Sequence, residues 1–124
     1  MRVPWLYAGD DGESHFATLE FPLTLQESGT MASDFLQTEG LQFRNNKLMF
    51  LDFHPAPRRQ FILFMSGRQE IEVASGEKMV CSPGDVLLVD DTEGHGHISR
   101  RTEPGLSVWV SVPKSLDLTQ WRVE

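Results

Sequence analysis

Apolar and polar side chains alternate in short runs along most of this chain, and the most regular run lies near its C-terminal end. Over residues 106–112, leucine and valine at even positions alternate with Ser107, Trp109 and Ser111. A period of two is typical of a β-strand with one apolar face, whereas a helix needs a period near 3.6. The pattern therefore predicts a strand here, which Pro113 would end.

Short apolar runs of the same kind fill the middle of the chain. They occupy residues 61–65, 70–74, 78–81, 85–89 and 95–98. Turn glycines stand at positions 67, 76, 84, 94 and 105, so successive turns lie 8 to 11 residues apart. Short strands at such regular spacing are typical of an all-β sandwich or barrel. We therefore predict an all-β fold with a barrel core at about residues 40–112.

The N-terminal third of the chain is less regular. An extended pattern over residues 14–20 predicts one further strand, whereas residues 1–9 are interpreted as a short irregular N-terminal arm. Residues 23–40 fit neither the helical nor the strand period. We expect them to form a loop over one end of the barrel, with Phe35 and Leu36 as apolar plugs.

A hairpin and a short tail complete the predicted elements. Residues 41–44 and 47–53 are extended, and Asn45-Asn46 between them suits a two-residue turn because asparagine tolerates positive φ. The tail, residues 114–124, is predicted as a short helix or a final strand. Its Trp121 is expected to pack on the barrel or on a second subunit.

Composition and charge narrow the classes of partner. The 124 residues suit a single domain spanning the whole chain. A net charge of −7 argues against nucleic-acid or anionic-membrane binding, since both require clustered cations. Cys81 is the one cysteine, so no intrachain disulfide forms, and no apolar run approaches the ~18 residues of a membrane span. The N-terminus lacks a signal-peptide pattern, and the expected compartment is the cytoplasm.

Histidines and turn residues recur with a spacing that resembles the cupin superfamily. The first cupin motif is a His-x-His pair followed by a glutamate and a glycine; here it is matched by His54, Ala56, Gln60 and Gly67. The second motif begins with a Pro-Gly-Asp turn and reaches a histidine about ten residues later. Here the turn is residues 83–85, and two histidines, His95 and His97, follow it.

The resemblance implies a cupin-type double-stranded β-helix, that is, a jelly-roll barrel, and a site inside it. Cupin sites usually hold a divalent transition metal (Fe, Mn, Ni, Zn or Cu) with three histidines and one glutamate. The implied ligands here are His54, Gln60, His97 and His95. Ala56 and Gln60 depart from the family pattern, so metal-bound and metal-free sites both stay open. Between the two late histidines, His97 is favoured to face the cavity.

Side chains near these motifs are expected to bind a substrate. Gln60 shares its strand face with Ile62 and Phe64, so the first is placed beside His54 and His97 and the other two form a deeper apolar wall. A histidine at such a polar mouth would be only partly buried. Replacing His97 with alanine is therefore expected to cost little stability.

An adjacent pair of arginines offers a second recognition element. Arg58 or Arg59 would clamp a substrate carboxylate, because guanidinium matches it bidentately. Successive residues of an extended chain point opposite ways, so the other arginine would pair with the acidic residues 90–93. Trp109 lines the cavity as an aromatic wall or packs outside against another protomer.

Two classes of function remain after this reasoning. The first is a small-molecule enzyme of the isomerase, lyase or oxygenase type, in which His54, His97 and Arg58 act on the substrate. The second is a non-catalytic or metal-free cupin that binds a sugar or metabolite. In both, a homodimer is expected, formed through one of the apolar end segments, residues 5–7 or 121–123.

Overall fold

The computed structural model describes residues 1–123, which form thirteen β-strands and one 3₁₀ helix. The larger sheet contains β1 (Arg2–Ala8), β2 (Ser14–Glu20), β5 (Leu41–Asn46), β7 (Gln60–Phe64), β10 (Val86–Asp90), β12 (Gly105–Ser111) and β13 (Arg122–Val123). The smaller sheet contains β6 (Met49–His54), β8 (Arg68–Glu72), β9 (Lys78–Cys81) and β11 (His97–Glu103). The remaining elements are the short pair β3 (Thr24–Leu25) and β4 (Met31–Ala32), and the 3₁₀ helix Leu118–Trp121.

Two sheets stack face to face, which confirms the all-β prediction and is consistent with a β-sandwich. The strand order is β13-β2-β1-β10-β7-β12-β5 in the larger sheet and β6-β11-β8-β9 in the smaller one. Among residues 1–123 no hydrogen-bonded strand pair joins the two sheets, so the closed barrel of the prediction is not found. No helix in the same range is long and apolar enough to cross a membrane.

The predicted N-terminal arm is instead a central strand. Strand β1 pairs parallel with β10 and antiparallel with β2, and its Trp5 and Leu6 are buried. The core therefore extends well outside residues 40–112. Because Trp5 and Leu6 belong to the interior, residues 5–7 are not an apolar segment available for a dimer contact.

Strand β10 is covered on both faces, which explains its run of apolar residues. Leu87 and Val89 belong to the cluster between the two sheets, whereas Leu88 belongs to a second cluster on the outer face of the larger sheet. Successive side chains of a strand point to opposite faces, so three consecutive apolar residues serve two cores. The outer cluster is closed by the C-terminal tail, where Trp121 packs on Phe21 at 5.0 Å between ring centroids.

The predicted hairpin at residues 41–53 is wrong in its pairing. Asn45 and Asn46 belong to β5, and the chain turns at residues 47–48. Strand β5 pairs with β12, whereas β6 pairs with β11 in the other sheet. The turn therefore connects the two layers at one end of the sandwich, and β5 and β6 are edge strands.

Of the two residues in loop 23–40 that were predicted to pack over one end of the fold, one does so. Leu36 packs against the outer apolar cluster, but Phe35 is fully exposed. Most of the other large apolar side chains in this loop, including Leu25 and Met31, are exposed as well. The prediction that Phe35 closes one end of the fold is therefore incorrect.

Candidate functional site

A cavity of about 260 Å³ lies between the sheets near the edge formed by β5 and β6. Both layers contribute to its wall, so the stacking of the sheets itself creates the site. Its lining side chains from the larger sheet are Arg44, Asn46, Ile62, Val89 and Trp109. Those from the smaller sheet and its connections are Met49, Leu51, His54, Ala56, Pro57, Gln69, Ile71, His97 and Ser99.

The ends of β6 and β11 bring two histidines together in this wall. His54 and His97 are register partners across the strands, and their ring centroids are 4.6 Å apart. Gly96 makes this approach possible, because its φ is +80° and a Cβ there would overlap the carbonyl group of His54. The expected juxtaposition of His54 and His97 is thus present, with glycine required by local geometry.

Behind His97 lies a buried carboxylate. Asp91 is fully buried, and its Oδ2 is 2.6 Å from His97 Nδ1. The same oxygen accepts a hydrogen bond from Ser14 Oγ at 2.7 Å. Ser14 lies at the start of β2, so the N-terminal hairpin holds this carboxylate in place. His97 itself is 4% exposed, which contradicts the expectation of a partly buried mouth residue.

These contacts fix which nitrogen of each ring is free. Because a carboxylate only accepts, the Nδ1–H of His97 donates to Asp91 and the Nε2 lone pair is left without that proton. His54 Nδ1 is 2.8 Å from the carbonyl oxygen of Asp52, so it too is the protonated nitrogen. Two imidazoles with free Nε2 atoms are therefore held side by side in the wall of one cavity.

The other implied metal ligands lie elsewhere. His95 is exposed, stacks on Phe53 and contacts Glu13 Oε2 through Nδ1 at 2.9 Å. Gln60 lines a neighbouring cavity and is absent from the wall that holds His54 and His97. Gly94 and Gly96 both have positive φ, and this irregular backbone separates the directions of the two late histidines.

The residues present do not fit the four-ligand metal site of the resemblance. Within residues 1–123 there is no group of three or more His, Cys, Asp or Glu side chains placed to hold a metal ion. Only His54 and His97 meet, and Asp91 contacts an imidazole nitrogen of His97 in the manner of a supporting group. Catalytic transition-metal sites normally use three protein ligands.

A second cavity of about 410 Å³ adjoins the first one. Arg44, Pro57 and Trp109 line both, and the Arg44 guanidinium lies 3.6 Å from the centroid of the Trp109 ring. Burial, and secondarily the nearby Arg58 guanidinium, lower the pKa of Arg44. The remaining lining residues are Gly40, Leu41, Gln42, Arg58, Gln60 and Ser111.

The two adjacent arginines point to different places, Arg59 toward the acidic loop and Arg58 toward the second cavity, outside the histidine cavity where an arginine was predicted to act on the substrate. Arg59 Nε donates to Asp90 Oδ1 at 2.9 Å, and Arg59 Nη1 donates to the carbonyl oxygens of Pro113 and Leu116. Arg59 is thus a structural residue, which contradicts its assignment to substrate binding. Arg58 faces the second cavity, where Nη1 lies 3.5 Å from Ser111 Oγ.

Of the predicted apolar wall, one residue faces the site. Ile62 lines the histidine cavity, but Phe64 is packed in the core cluster between the sheets and lines neither cavity. The direction of β7 explains the difference, because Phe64 lies further along the strand from the cavities than Gln60 and Ile62.

Sequence reasoning missed three residues of the site. Asp91 belongs to the acidic residues 90–93, for which only a pairing with an arginine is predicted, yet it is fully buried. Ser14 and Arg44 lie 77 and 47 residues from Asp91 along the chain, and no local pattern distinguishes them. One signal was present for Asp91, because an acidic residue directly after a buried strand and six residues before a histidine is placed to support that histidine.

No protein-family model matches the chain, and no curated protein matches it. Among solved structures, it is similar to the crystal structure of protein NMB1881 from Neisseria meningitidis, with a TM-score of 0.47 and 20% identity. That match covers 65% of this chain and 88% of the Neisseria chain. A likeness at this level says nothing about function, which has to be inferred from the site itself.

Proposed function

We propose that this protein is a small-molecule enzyme with a cupin-like fold that moves protons without a metal. The observation that carries the proposal is the Ser14–Asp91–His97 chain of hydrogen bonds, which ends in the wall of a cavity beside His54. A buried carboxylate that orients an imidazole is a recurrent arrangement for general acid–base chemistry.

His97 is the proposed base. Its Nδ1–H is held by Asp91, so Nε2 is the atom that accepts a proton from a bound molecule. The imidazolium that forms is stabilised by the Asp91 carboxylate, which is shielded from water. Asp91 acts through His97 and is a positioning residue.

His54 is the proposed second proton carrier. Its ring lies against that of His97, and its backbone contact at Nδ1 fixes the orientation of Nε2. For an isomerisation or an elimination, neutral His97 accepts a proton at Nε2, while His54 donates one from Nε2 and so acts in its doubly protonated form, with Nδ1–H still held by the Asp52 carbonyl. The cavity volume of about 260 Å³ equals roughly nine liquid waters at ~30 Å³ each, which restricts the substrate to a small organic molecule.

Deuterium incorporation tests the proposal. The protein is incubated in D₂O with a panel of small carbonyl acids and amides, and loss of C–H signals is followed by NMR. We expect exchange next to a carbonyl with the native protein and with the control His95→Gln, and no exchange with His97→Gln. The Asp91→Asn variant should lose exchange and also change the ¹⁵N shifts that report the tautomer of His97.

Two outcomes would contradict the proposal. If compounds bind in the histidine cavity but none exchanges, the protein is a non-catalytic small-molecule binding module. If elemental analysis finds a transition metal at one per chain, and chelation abolishes both the metal and the exchange, the metal-dependent alternative is correct, with His54 and His97 as its protein ligands.

We also propose that the chain forms a homodimer through its β5–β6 edge. These strands form one edge of each sheet, and their outer backbone groups are free to pair with the same edge of a second copy. Leu41, Phe43, Phe50 and Leu51 are exposed there. Sedimentation velocity should show a dimer that Phe43→Asp converts to monomer, whereas Phe35→Asp in the exposed loop leaves it unchanged. Monomer alone at tens of micromolar would contradict this.

A further inference from the structure

The second cavity brings together two cations that have no anionic partner. Arg44 lies on β5 and Arg58 precedes β7; both line this cavity, and Arg58 is near enough to help burial lower the pKa of Arg44. Within residues 1–123, neither forms an ion pair with a carboxylate, whereas Arg2, Arg59 and Arg100 all do. Two neighbouring guanidinium groups repel each other, and an anion between them would relieve that repulsion.

A buried amide in the same wall also lacks a partner. Gln60 is 3% exposed, and its Nε2 has no hydrogen-bond acceptor among the described residues. Leaving a buried donor unsatisfied costs roughly 1–3 kcal/mol, so native structures usually provide an acceptor. Ser111, 3.5 Å from Arg58 through its hydroxyl, adds a further polar group to this wall.

We infer that this cavity binds the anionic group, a carboxylate or a phosphate, of a small organic molecule through Arg44, Arg58 and Gln60. Arginine forks suit both groups, because each presents paired oxygens. The net charge of the chain is −7, so a site for anions here reflects the local arrangement of side chains and not the general electrostatics of the protein.

The position of this subsite also specifies the class of substrate. Arg44, Pro57 and Trp109 line both cavities, so a molecule held by its anionic end beside Arg58 extends past Trp109 toward His54 and His97. In combination with the proposed function, on which this step rests, the substrate is a small organic acid or phosphate ester whose reacting carbon lies one cavity away from its charge. The anion subsite itself does not depend on the chemistry at the histidines.

Titration with matched aromatic probes tests the subsite. Benzoate, phenyl phosphate and neutral benzyl alcohol are added to ¹⁵N-labelled protein, and the indole signal of Trp109 and the Nε–H signals of the arginines are followed, with sodium chloride as a control for ionic strength. We expect the two anions, but not the alcohol, to shift the Trp109 and Arg58 signals. The anion that binds more tightly identifies the group, carboxylate or phosphate, that the subsite prefers.

Variants separate this subsite from the rest of the protein. Arg58→Gln and Gln60→Leu should each weaken anion binding about tenfold, since each removes a donor to a charged group. Arg68→Gln, an exposed arginine in neither cavity wall, should leave binding unchanged. Because Gln60→Leu removes an unsatisfied buried group, the unfolding free energy of this variant should not fall. Measuring that value also shows that the variant is folded.

The inference and the proposed function fail in different ways. Anion binding that persists in His97→Gln, without any proton exchange in the native protein, supports the subsite and contradicts the enzyme. Proton exchange on uncharged compounds, without a shift of Trp109 or Arg58 by either anion, overturns the subsite and supports the enzyme. Shifts of equal size with sodium chloride or in Arg58→Gln would also overturn the subsite.

Discussion

Two regions on either side of residues 58–59 use their charged groups in opposite ways. On one side, Arg59 and Lys114 meet Asp90, which also accepts the indole N–H of Trp5. On the other, Arg58 faces a cavity without a carboxylate. Charges that are paired inside the protein hold strands together, whereas the exposed Arg58 and the half-buried Arg44, which have no carboxylate partner among residues 1–123, are available to a ligand.

The Asp91–His97 pair belongs to both regions. Its hydrogen bonds link β2, the loop after β10 and the start of β11, so it supports the fold as the Asp90 cluster does. Its outward nitrogen faces a cavity, as the guanidinium groups of Arg44 and Arg58 do. Variants that disturb one region at a time therefore test whether the charged groups that stabilise the fold are distinct from those that face a cavity.

The largest expected effect follows from Gly96→Ala. The new Cβ would overlap the backbone of His54 and impose positive φ on alanine, which together should cost about 4 kcal/mol of unfolding free energy. The control Gly76→Ala has a similar φ but no atom within 4 Å of the new Cβ, so it should cost only about 1–2 kcal/mol. Denaturant unfolding measures both. Equal losses would show that the approach of β6 and β11 at the histidines is loose.

His97→Ala should cost about 3 kcal/mol, because it leaves the fully buried Asp91 carboxylate with Ser14 as its remaining partner. His95→Ala serves as the control. Its ion pair with Glu13 is exposed, and such pairs contribute roughly 0–1 kcal/mol. Urea unfolding of the two variants at neutral pH makes the comparison. A loss below that of His95→Ala would mean that water reaches Asp91 and that the proposed base is not held in place.

Arg59→Gln and Arg58→Gln test the contrast between the two arginines directly. The first leaves the nearly buried Asp90 with Lys114 and Trp5 and should cost about 2 kcal/mol, since hydrogen bonds to charged groups contribute ~1.5–3 kcal/mol each. The second should change stability by less than about 0.5 kcal/mol while it weakens anion binding about tenfold. If Arg58→Gln were the less stable variant, the cavity arginine would be a structural group.

Much of the fold follows from the sequence because periodicity reports local structure. The strand predicted at residues 14–20 and that at 78–81 match β2 and β9, and the regular alternation at 106–112 is β12. Periodicity does not report which strands pair. The hairpin at 41–53 was wrong for this reason. The central position of β1 was missed because, besides the adjacent β2, it pairs with β10, which lies more than eighty residues away.

The residues of the site could be predicted from the sequence less well than the fold. The meeting of His54 and His97 followed from the family resemblance, and the placement of Arg58 and Arg59 on opposite sides followed from strand geometry. The spacing of Asp91 from His97 gave a local signal for their contact, but the burial of Asp91 depends on the fold, which covers it with Ser14 and His97.

The smallest expected effect concerns Cys81, which lies beside a buried arginine that belongs to neither cavity. Arg101 is buried beside it with two N–H groups that have no partner among residues 1–123, yet it lines neither cavity. Burial, assisted by Asp85, raises the pKa of the Cys81 thiol to about 12, although Arg101 acts in the opposite direction. The desolvation of this interior therefore outweighs the nearby cation.

The thiol should consequently resist alkylation in the native protein. At pH 8 we expect iodoacetamide to label Cys81 at least about a hundredfold more slowly than in urea, since the thiolate is the reactive form. Because the folded pKa lies above the ordinary thiol value of 9.0, the stabilising contribution of the neutral thiol is complete below about pH 9 and is lost as the pH rises toward 12. Cys81→Ala should therefore show a flatter decline in stability over that range. Rapid labelling of the native protein would mean that water reaches Cys81 and that this part of the interior is not desolvated.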